Sequence, residues 1–354
     1  MEIRIERAAT FKPKPDPEIL GFGNYFTDHM FVMNYDRGEG WHDARIVPYG
    51  PFLIEPSAKV FHYGQESFEG MKAYRTPDGG LSLFRPWENF KRLNSTNERL
   101  SIPQFDEEFA LEALKKLIEI DQDWVPTLSG TSLYVRPVII GTEPRLGVHA
   151  SDSYMFFMLL SPAGSYYKEG LAPVRIVVED EDVRAVRGGT GYAKTGGNYA
   201  ASLRADERAH SIGFSQVLWL DGVHRKYIEE AGAMNVLFKI NGEVITPMLT
   251  GSILPGITRK SCLEMLRSWG VPVCERLISI DELLEELEKG NVEEIFSSGT
   301  AAVISPIGEI TYKGRHFTVN DNKIGPLTQK LYDELTGLQR GEKPDPFGWN
   351  LKIL

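Results

Sequence analysis

The sequence has little cysteine, no long apolar run and no surplus of positive charge, and each shortage excludes a class of protein. Its two cysteines, Cys262 and Cys274, are too few for a disulfide framework and lack metal-ligand spacing. They read as buried thiols in a reducing compartment, and no metal is expected. A net charge of −10 offers no basic face to nucleic acid or to an anionic membrane surface. The longest apolar run, residues 154–160, is far too short to span a bilayer. The opening MEIRIERAAT has no apolar stretch of the kind a secretory leader needs, so a cytoplasmic protein is expected. Repeats and low-complexity tracts are also missing.

What is present is a globular chain of 354 residues, 42% hydrophobic and 25% charged, long enough for two domains. Residues 71–75 and 81–85 alternate around the turn Thr76-Pro77-Asp78-Gly79-Gly80 and predict a hairpin. A helix starts at Pro86 and runs to about residue 100. Another covers 106–120, with Phe109, Leu111, Leu114, Leu117 and Ile118 on one stripe. Residues 132–140 and 153–160 are strand-like, and 161–165 reads as a loop. In the second half a helix is expected over 199–211 and strands at 216–220, 234–240 and 243–245. The last two are joined by Asn241-Gly242. Helices near 256–269 and 280–289 precede a strand at 292–297. The expected fold is α/β (α+β), with an N-terminal domain over 1–165, an interdomain loop over 166–182 and a larger C-terminal domain over 183–354. A ligand is expected in the cleft between them.

The most unusual stretch, residues 187–199, crowds glycines around Lys194. Glycines gather where a backbone bends or approaches a ligand closely. An ordinary lysine is a solvated surface group, but two chemistries compete for one in this setting. Gly188 followed by Lys194-Thr195 comes close to a nucleotide phosphate loop, yet the second glycine is Ala193, and Gly196-Gly197 would interrupt the helix that must begin there. The alternative is a Schiff-base lysine, whose amine must lose its proton near positive charge or away from water; Arg184 and Arg187 upstream suit that need. A pyridoxal-phosphate site further requires an acid for the pyridine nitrogen, anion-binding groups and a donor to the phenolate oxygen.

Six motifs stand in order: Phe61-His62-Tyr63-Gly64, Phe68-Glu69-Gly70, Tyr134-Val135-Arg136-Pro137, Lys194-Thr195-Gly196-Gly197-Asn198-Tyr199, Leu254-Pro255-Gly256-Ile257-Thr258-Arg259 and Ser298-Gly299-Thr300-Ala301-Ala302. Together, over about residues 20–340, the chain resembles a branched-chain amino-acid aminotransferase of the fold-type-IV pyridoxal-phosphate class. The resemblance implies two mixed α/β domains with pyridoxal 5'-phosphate in the cleft between them. It makes Lys194 the Schiff-base and proton-carrying residue and Glu230 the acid at the pyridine nitrogen. Glu230 is preferred to Glu229 from its spacing to Met234-Asn235. Tyr199 becomes the phenolate donor, and Arg92, Ile257, Thr258 and Thr300 the phosphate contacts. Amides near Thr300, Ala301 and Ala302 would take the substrate carboxylate.

The resemblance likewise implies an apolar pocket walled by Phe22, Phe68, Tyr134, Tyr166 and Ala302, with Arg136 receiving the distal carboxylate of glutamate. Tyr63, Leu146 and Val148 match positions that the partner of a homodimer contributes. The reaction it implies is amino transfer between leucine, isoleucine or valine and 2-oxoglutarate. Animal members carry a CxxC where this chain has Ala302 and Ser305, so no thiol control is expected there. Ala233 stands where some members have threonine.

Overall fold

The computed structural model describes residues 1–166 and 171–353. The chain forms two compact units. The first comprises residues 1–166, 193–196 and 337–354, and the second 167–192 and 197–336. Contacts thus group 193–196 and 337–354 with the N-terminal unit, whereas the sequence reading assigns them to the C-terminal domain. Part of the expected interdomain loop, residues 167–170, lies outside the described residues.

The first unit is built on a nine-stranded sheet. Its order is Arg4–Ile5, Gly40–Pro48, His29–Asp36, Ser153–Ala163, Ser132–Gly141, Met71–Arg75, Leu81–Phe84 and Asn350–Lys352, with Glu66–Phe68 also paired to Ser132–Gly141. Residues 161–163 extend a strand rather than form the expected loop. Pro162 is tolerated because it pairs with Leu133 on one side only; the neighbouring strand His29–Asp36 stops pairing at Met158. Glu107–Ile120 is helical, opened by Asp106, whose carboxylate accepts from the Phe109 N–H. Its buried face is Ala110, Ala113, Leu114, Leu117 and Ile118; Phe109 and Leu111 are only partly covered. The alanines therefore turn the stripe slightly from its expected position. Pro86–Arg99 is also helical, with Pro86 in its first turn.

The second unit has its own nine-stranded sheet, centred on Val303–Tyr312, Val292–Gly299 and Met234–Ile240. Val174–Glu179 and Gln216–Leu220 pair in parallel, so the sheet is mixed. Asn241 and Gly242 both have positive φ, the requirement of the tight turn that their identities predict. The expected helix 199–211 is two helices, Gly196–Ala200 and Leu203–Ser211. Ile257–Ser268 and Ile280–Glu288 both pack on Val292–Gly299. Among the described residues, no helix is long and apolar enough to cross a membrane.

Candidate active site

Within the first unit, Lys194 is held through its backbone. Its N–H donates to Thr96 Oγ1 at 3.0 Å, and its carbonyl accepts from the Phe68 N–H at 3.0 Å. Thr195 Oγ1 donates to the Glu66 carbonyl at 2.8 Å, and the Gly196 N–H donates to the Glu66 carboxylate. The short strand Glu66–Phe68 is therefore the bench on which the lysine segment rests. The ammonium lies 5.0 Å from the centre of the Phe68 ring.

Asn89, Arg92 and Thr96 lie three and four residues apart on Pro86–Arg99 and so share one face. Arg92 grips Glu69 as a fork, Nε to Oε1 at 2.6 Å and Nη2 to Oε2 at 2.9 Å. Asn89 donates to the same carboxylate at 2.8 Å. Burial alone would push Glu69 upward, but Arg92 above all, with Lys194 and Asn89, outweighs it and holds the carboxyl below its usual range. Glu66 goes the other way: burial raises it despite bonds from Gly196 and Thr195 and the charge of Arg136.

The expected pocket residues of this unit gather. Phe22 meets Tyr134 edge-on at 4.8 Å between ring centres, and the Arg136 guanidinium lies 4.8 Å from the Phe68 ring. Arg136 Nη2 donates to Tyr134 Oη at 3.0 Å, whereas its buried Nε has no hydrogen-bond partner among the described residues. Gly70 lets the phenol come this close; a Cβ there would sit 2.0 Å from Tyr134 Oη. Tyr63 accepts from the Gly147 N–H at 3.1 Å, on a loop where Leu146 and Val148 are 65% and 88% exposed. Tyr166 is half exposed.

Within the second unit, buried Glu230 accepts from the Leu254 N–H at 2.7 Å. Its other oxygen lies 3.3 Å from Arg184 Nε, an ion pair without hydrogen-bond alignment. Asn235 Nδ2 donates to the Leu254 carbonyl at 3.0 Å, so Glu230 and Asn235 brace the same turn from its two sides. A Cβ at Gly256 would meet Asn235 Oδ1 at 2.0 Å, which explains the glycine. From that turn Ile257–Ser268 opens with no side-chain cap; Ile257 and Thr258 are buried in its first turn. The helix packs on Val292–Gly299, where buried Ser298 Oγ has no partner among the described residues. Thr300 and Ala301 follow in a turn, Ala302 is buried, and Val303 has φ +63°, a strained value for a β-branched residue. Tyr199 lies on Gly196–Ala200, whose Asn198 is fastened to Thr190 by two side-chain bonds of 2.7 and 2.8 Å.

An uncapped helix start and an orphaned hydroxyl on the neighbouring strand fit a phosphate dianion. A buried carboxyl group beside an arginine fits a pyridinium nitrogen. The residues present therefore suit pyridoxal phosphate. Sequence reasoning missed the supports: Glu66 and Thr96 under Lys194, Glu69 against Arg92, and Arg184 against Glu230. Glu69 stood inside a quoted motif without a role. Arg184, expected to serve Lys194, is instead tied to Glu230 and to the Gly191 and Ser252 carbonyls, while Arg187 is exposed. The phosphate-loop alternative fails: only turns occupy 188–192 and no strand leads into them.

A family model described as "Amino-transferase class IV" matches residues 66–310. The chain is 57% identical over 351 residues to "Branched-chain-amino-acid aminotransferase 2" of Bacillus subtilis, covering 99% of this chain and 97% of that one. It is 48% identical over 338 residues to a branched-chain-amino-acid aminotransferase of Mycolicibacterium smegmatis, covering 94% and 92%. Among solved structures, the Escherichia coli branched-chain amino acid aminotransferase superposes with a TM-score of 0.75 at 27% identity, covering 92% of this chain and 99% of that one. A T.th. branched-chain amino acid aminotransferase, solved with pyridoxamine 5'-phosphate, gives 0.76 at 25% identity, covering 92% and 98%.

Proposed function

The chain belongs to the class IV aminotransferases, and from that premise we propose that it is a pyridoxal-phosphate-dependent branched-chain-amino-acid transaminase, in which Lys194 is the catalytic base. Leucine, isoleucine or valine gives up its nitrogen and leaves as a 2-oxo acid; 2-oxoglutarate takes the nitrogen and leaves as glutamate. The full-length 57% identity carries the reading of the reaction. The cofactor, when bound, supplies an electron sink for the bond to the substrate's α-hydrogen.

The chain's own residues do the rest. Lys194 Nζ would take the proton from the substrate Cα and deliver it to the cofactor's C4′, a transfer helped by the seating of its backbone on Thr96 and the Glu66–Phe68 strand. Glu230 keeps the pyridine nitrogen protonated, and Arg184 lies against its other oxygen at 3.3 Å. Tyr199 donates to the phenolate oxygen. Arg92, the amides of Ile257 and Thr258, and the hydroxyls of Thr258 and Thr300 anchor the phosphate. Amides of Ala301 and Ala302 hold the substrate carboxylate. Phe22, Phe68, Tyr134, Tyr166 and Ala302 wall the side-chain pocket, where Arg136 receives the distal carboxylate of glutamate. A homodimer, acting in the cytoplasm, would bring the exposed Tyr63, Leu146 and Val148 to a partner's pocket. The test is a coupled assay of leucine with 2-oxoglutarate on the purified holoenzyme. Turnover of branched-chain substrates well above that of alanine or aspartate supports the reading; the reverse order overturns it.

A further inference from the structure

The acid next to Glu230 faces a different problem. Glu229 is 5% exposed. One of its oxygens accepts from Ser252 Oγ, and the other, Oε2, is buried with no hydrogen-bond partner among the described residues. Burial is the main influence raising its pKa, with the charges of Glu230 and Asp221 adding to it. A buried, half-satisfied carboxyl is costly, and native proteins rarely keep one without a use.

That carboxyl lines a cavity of about 340 Å³ lying wholly within the second unit. Its walls are largely apolar: Val223, Ile228, Met248, Ile253 and Leu277. Val223, Met248 and Leu277 are also exposed at 69%, 41% and 40%, so the opening carries apolar groups beside the exposed Arg187 and His224. The second acid of the wall, Asp221, is already committed; its carboxylate accepts from the N–H groups of Val223, His224, Lys226 and Tyr227. None of these residues belongs to the set proposed for cofactor or substrate. A largely apolar chamber with a few polar groups is the usual form of a small-ligand site, and its size suits a ligand of modest dimensions.

We propose that this cavity is a second ligand site, taking a small organic ammonium ion whose apolar body fills the chamber and whose N–H donates to Glu229 Oε2. The charge follows from the wall. The wall presents Glu229 and Asp221, and among the described residues the one wall cation with a fixed charge, Arg187, is exposed to solvent. A neutral donor would satisfy Oε2 alone; a cation also answers the negative charge of Glu229, Glu230 and Asp221, which Arg184 offsets only in part. The site also adjoins the proposed catalytic machinery. The Ser252 that bonds Glu229 offers its carbonyl to Arg184, the partner of Glu230.

The proposal stands apart from the transaminase reading and is tested by direct binding. The probe is N-methylcyclohexylammonium, a secondary ammonium that does not form a neutral imine with an aldehyde. It is titrated calorimetrically into the holoenzyme with the substrate site saturated by 4-methylvalerate. Saturable binding is expected, weakened at least about tenfold by Glu229→Gln, which turns an N–H donor toward the ligand while keeping an acceptor for Ser252. Leu277→Trp, a change at a half-exposed position that fills the chamber, should weaken it by a similar factor. Methoxycyclohexane, which has the body without the charge, should bind at least about tenfold less tightly than the ammonium. Three results would overturn the site: no saturable binding up to about 10 mM, a range in which even weak ligands register; equal binding by the parent and both variants; or binding that appears only when 4-methylvalerate is left out.

Discussion

In the first unit two cations, Lys194 and Arg92, act on one buried carboxylate, Glu69, whereas in the second two buried carboxylates, Glu229 and Glu230, share one arginine, Arg184. Charge therefore runs in opposite directions. In the first unit the carboxyl is held below its ordinary range, because the charge and fork of Arg92 overcome burial. In the second, burial wins at Glu229 and the carboxyl is raised. Glu66 of the first unit is raised too, since the charge of Arg136 does not overcome its burial, so a close cation and not the unit decides the sign.

Removing the amine from the first unit breaks this comparison most severely. Lys194→Ala should lower leucine transamination at least about a thousand-fold, since it removes the positioned base. Circular dichroism should be unchanged, because the backbone bonds to Thr96 and Phe68 survive. Glu230→Gln neutralises the matching group of the second unit. Its amide oxygen can still accept from Leu254, so the turn should hold while the half-reaction slows about a hundredfold, equivalent to about 2.7 kcal/mol of barrier. Stopped-flow absorbance decides it, and an unchanged rate would remove Glu230 from the chemistry.

Arg92→Ala tests stability as well as binding. It strands the Glu69 carboxylate in the interior, a change that costs on the order of 3–5 kcal/mol when a buried pair is broken. Denaturant unfolding at neutral pH reads this loss, and cofactor should also dialyse away faster. Glu69 has a depressed folded pKa, so its contribution is present above the ordinary carboxylate range and fades as pH falls through the folded value. The gap between parent and variant should therefore narrow in acid. A gap that widened would contradict the pairing.

Arg136→Ala sharpens the comparison within the first unit alone. Rates with glutamate should fall at least about tenfold more than rates with leucine, because only glutamate leaves a charge facing Phe68 and Tyr134. Parallel losses in single half-reactions would end the case for dual recognition. The smallest effect is expected at Cys262, whose fully buried thiol is pushed up to about 12 by desolvation. Thiol reagents should leave it unmodified in the native enzyme and modify it on unfolding, as peptide mass spectrometry would show.

Much of this was legible in the sequence where local rules act. Asn241-Gly242 dictates its hairpin, Pro86 opens its helix, and the ordered motifs name the family. Long-range supports were not legible. Glu66 lies 129 residues before Thr195, and only sheet pairing brings the strand Glu66–Phe68 beneath the lysine segment. Glu69 lies in the link after Glu66–Phe68 and Arg92 on a helix 23 residues later, and Arg184 meets Glu230 across a stretch of irregular chain. Pro162 misled because proline usually ends a strand; it continues here because one side of its strand is unpaired at that point. The break in the helix expected over 199–211 left no plain mark at Ala201-Ser202.

The central claim is that Lys194 carries the cofactor. Borohydride added to the purified holoenzyme, followed by proteolysis and mass spectrometry, tests it directly. The account predicts that the visible band bleaches and that the cofactor's mass is fixed on the peptide containing Lys194. Label on another lysine, or none on a protein that remains active, would contradict it.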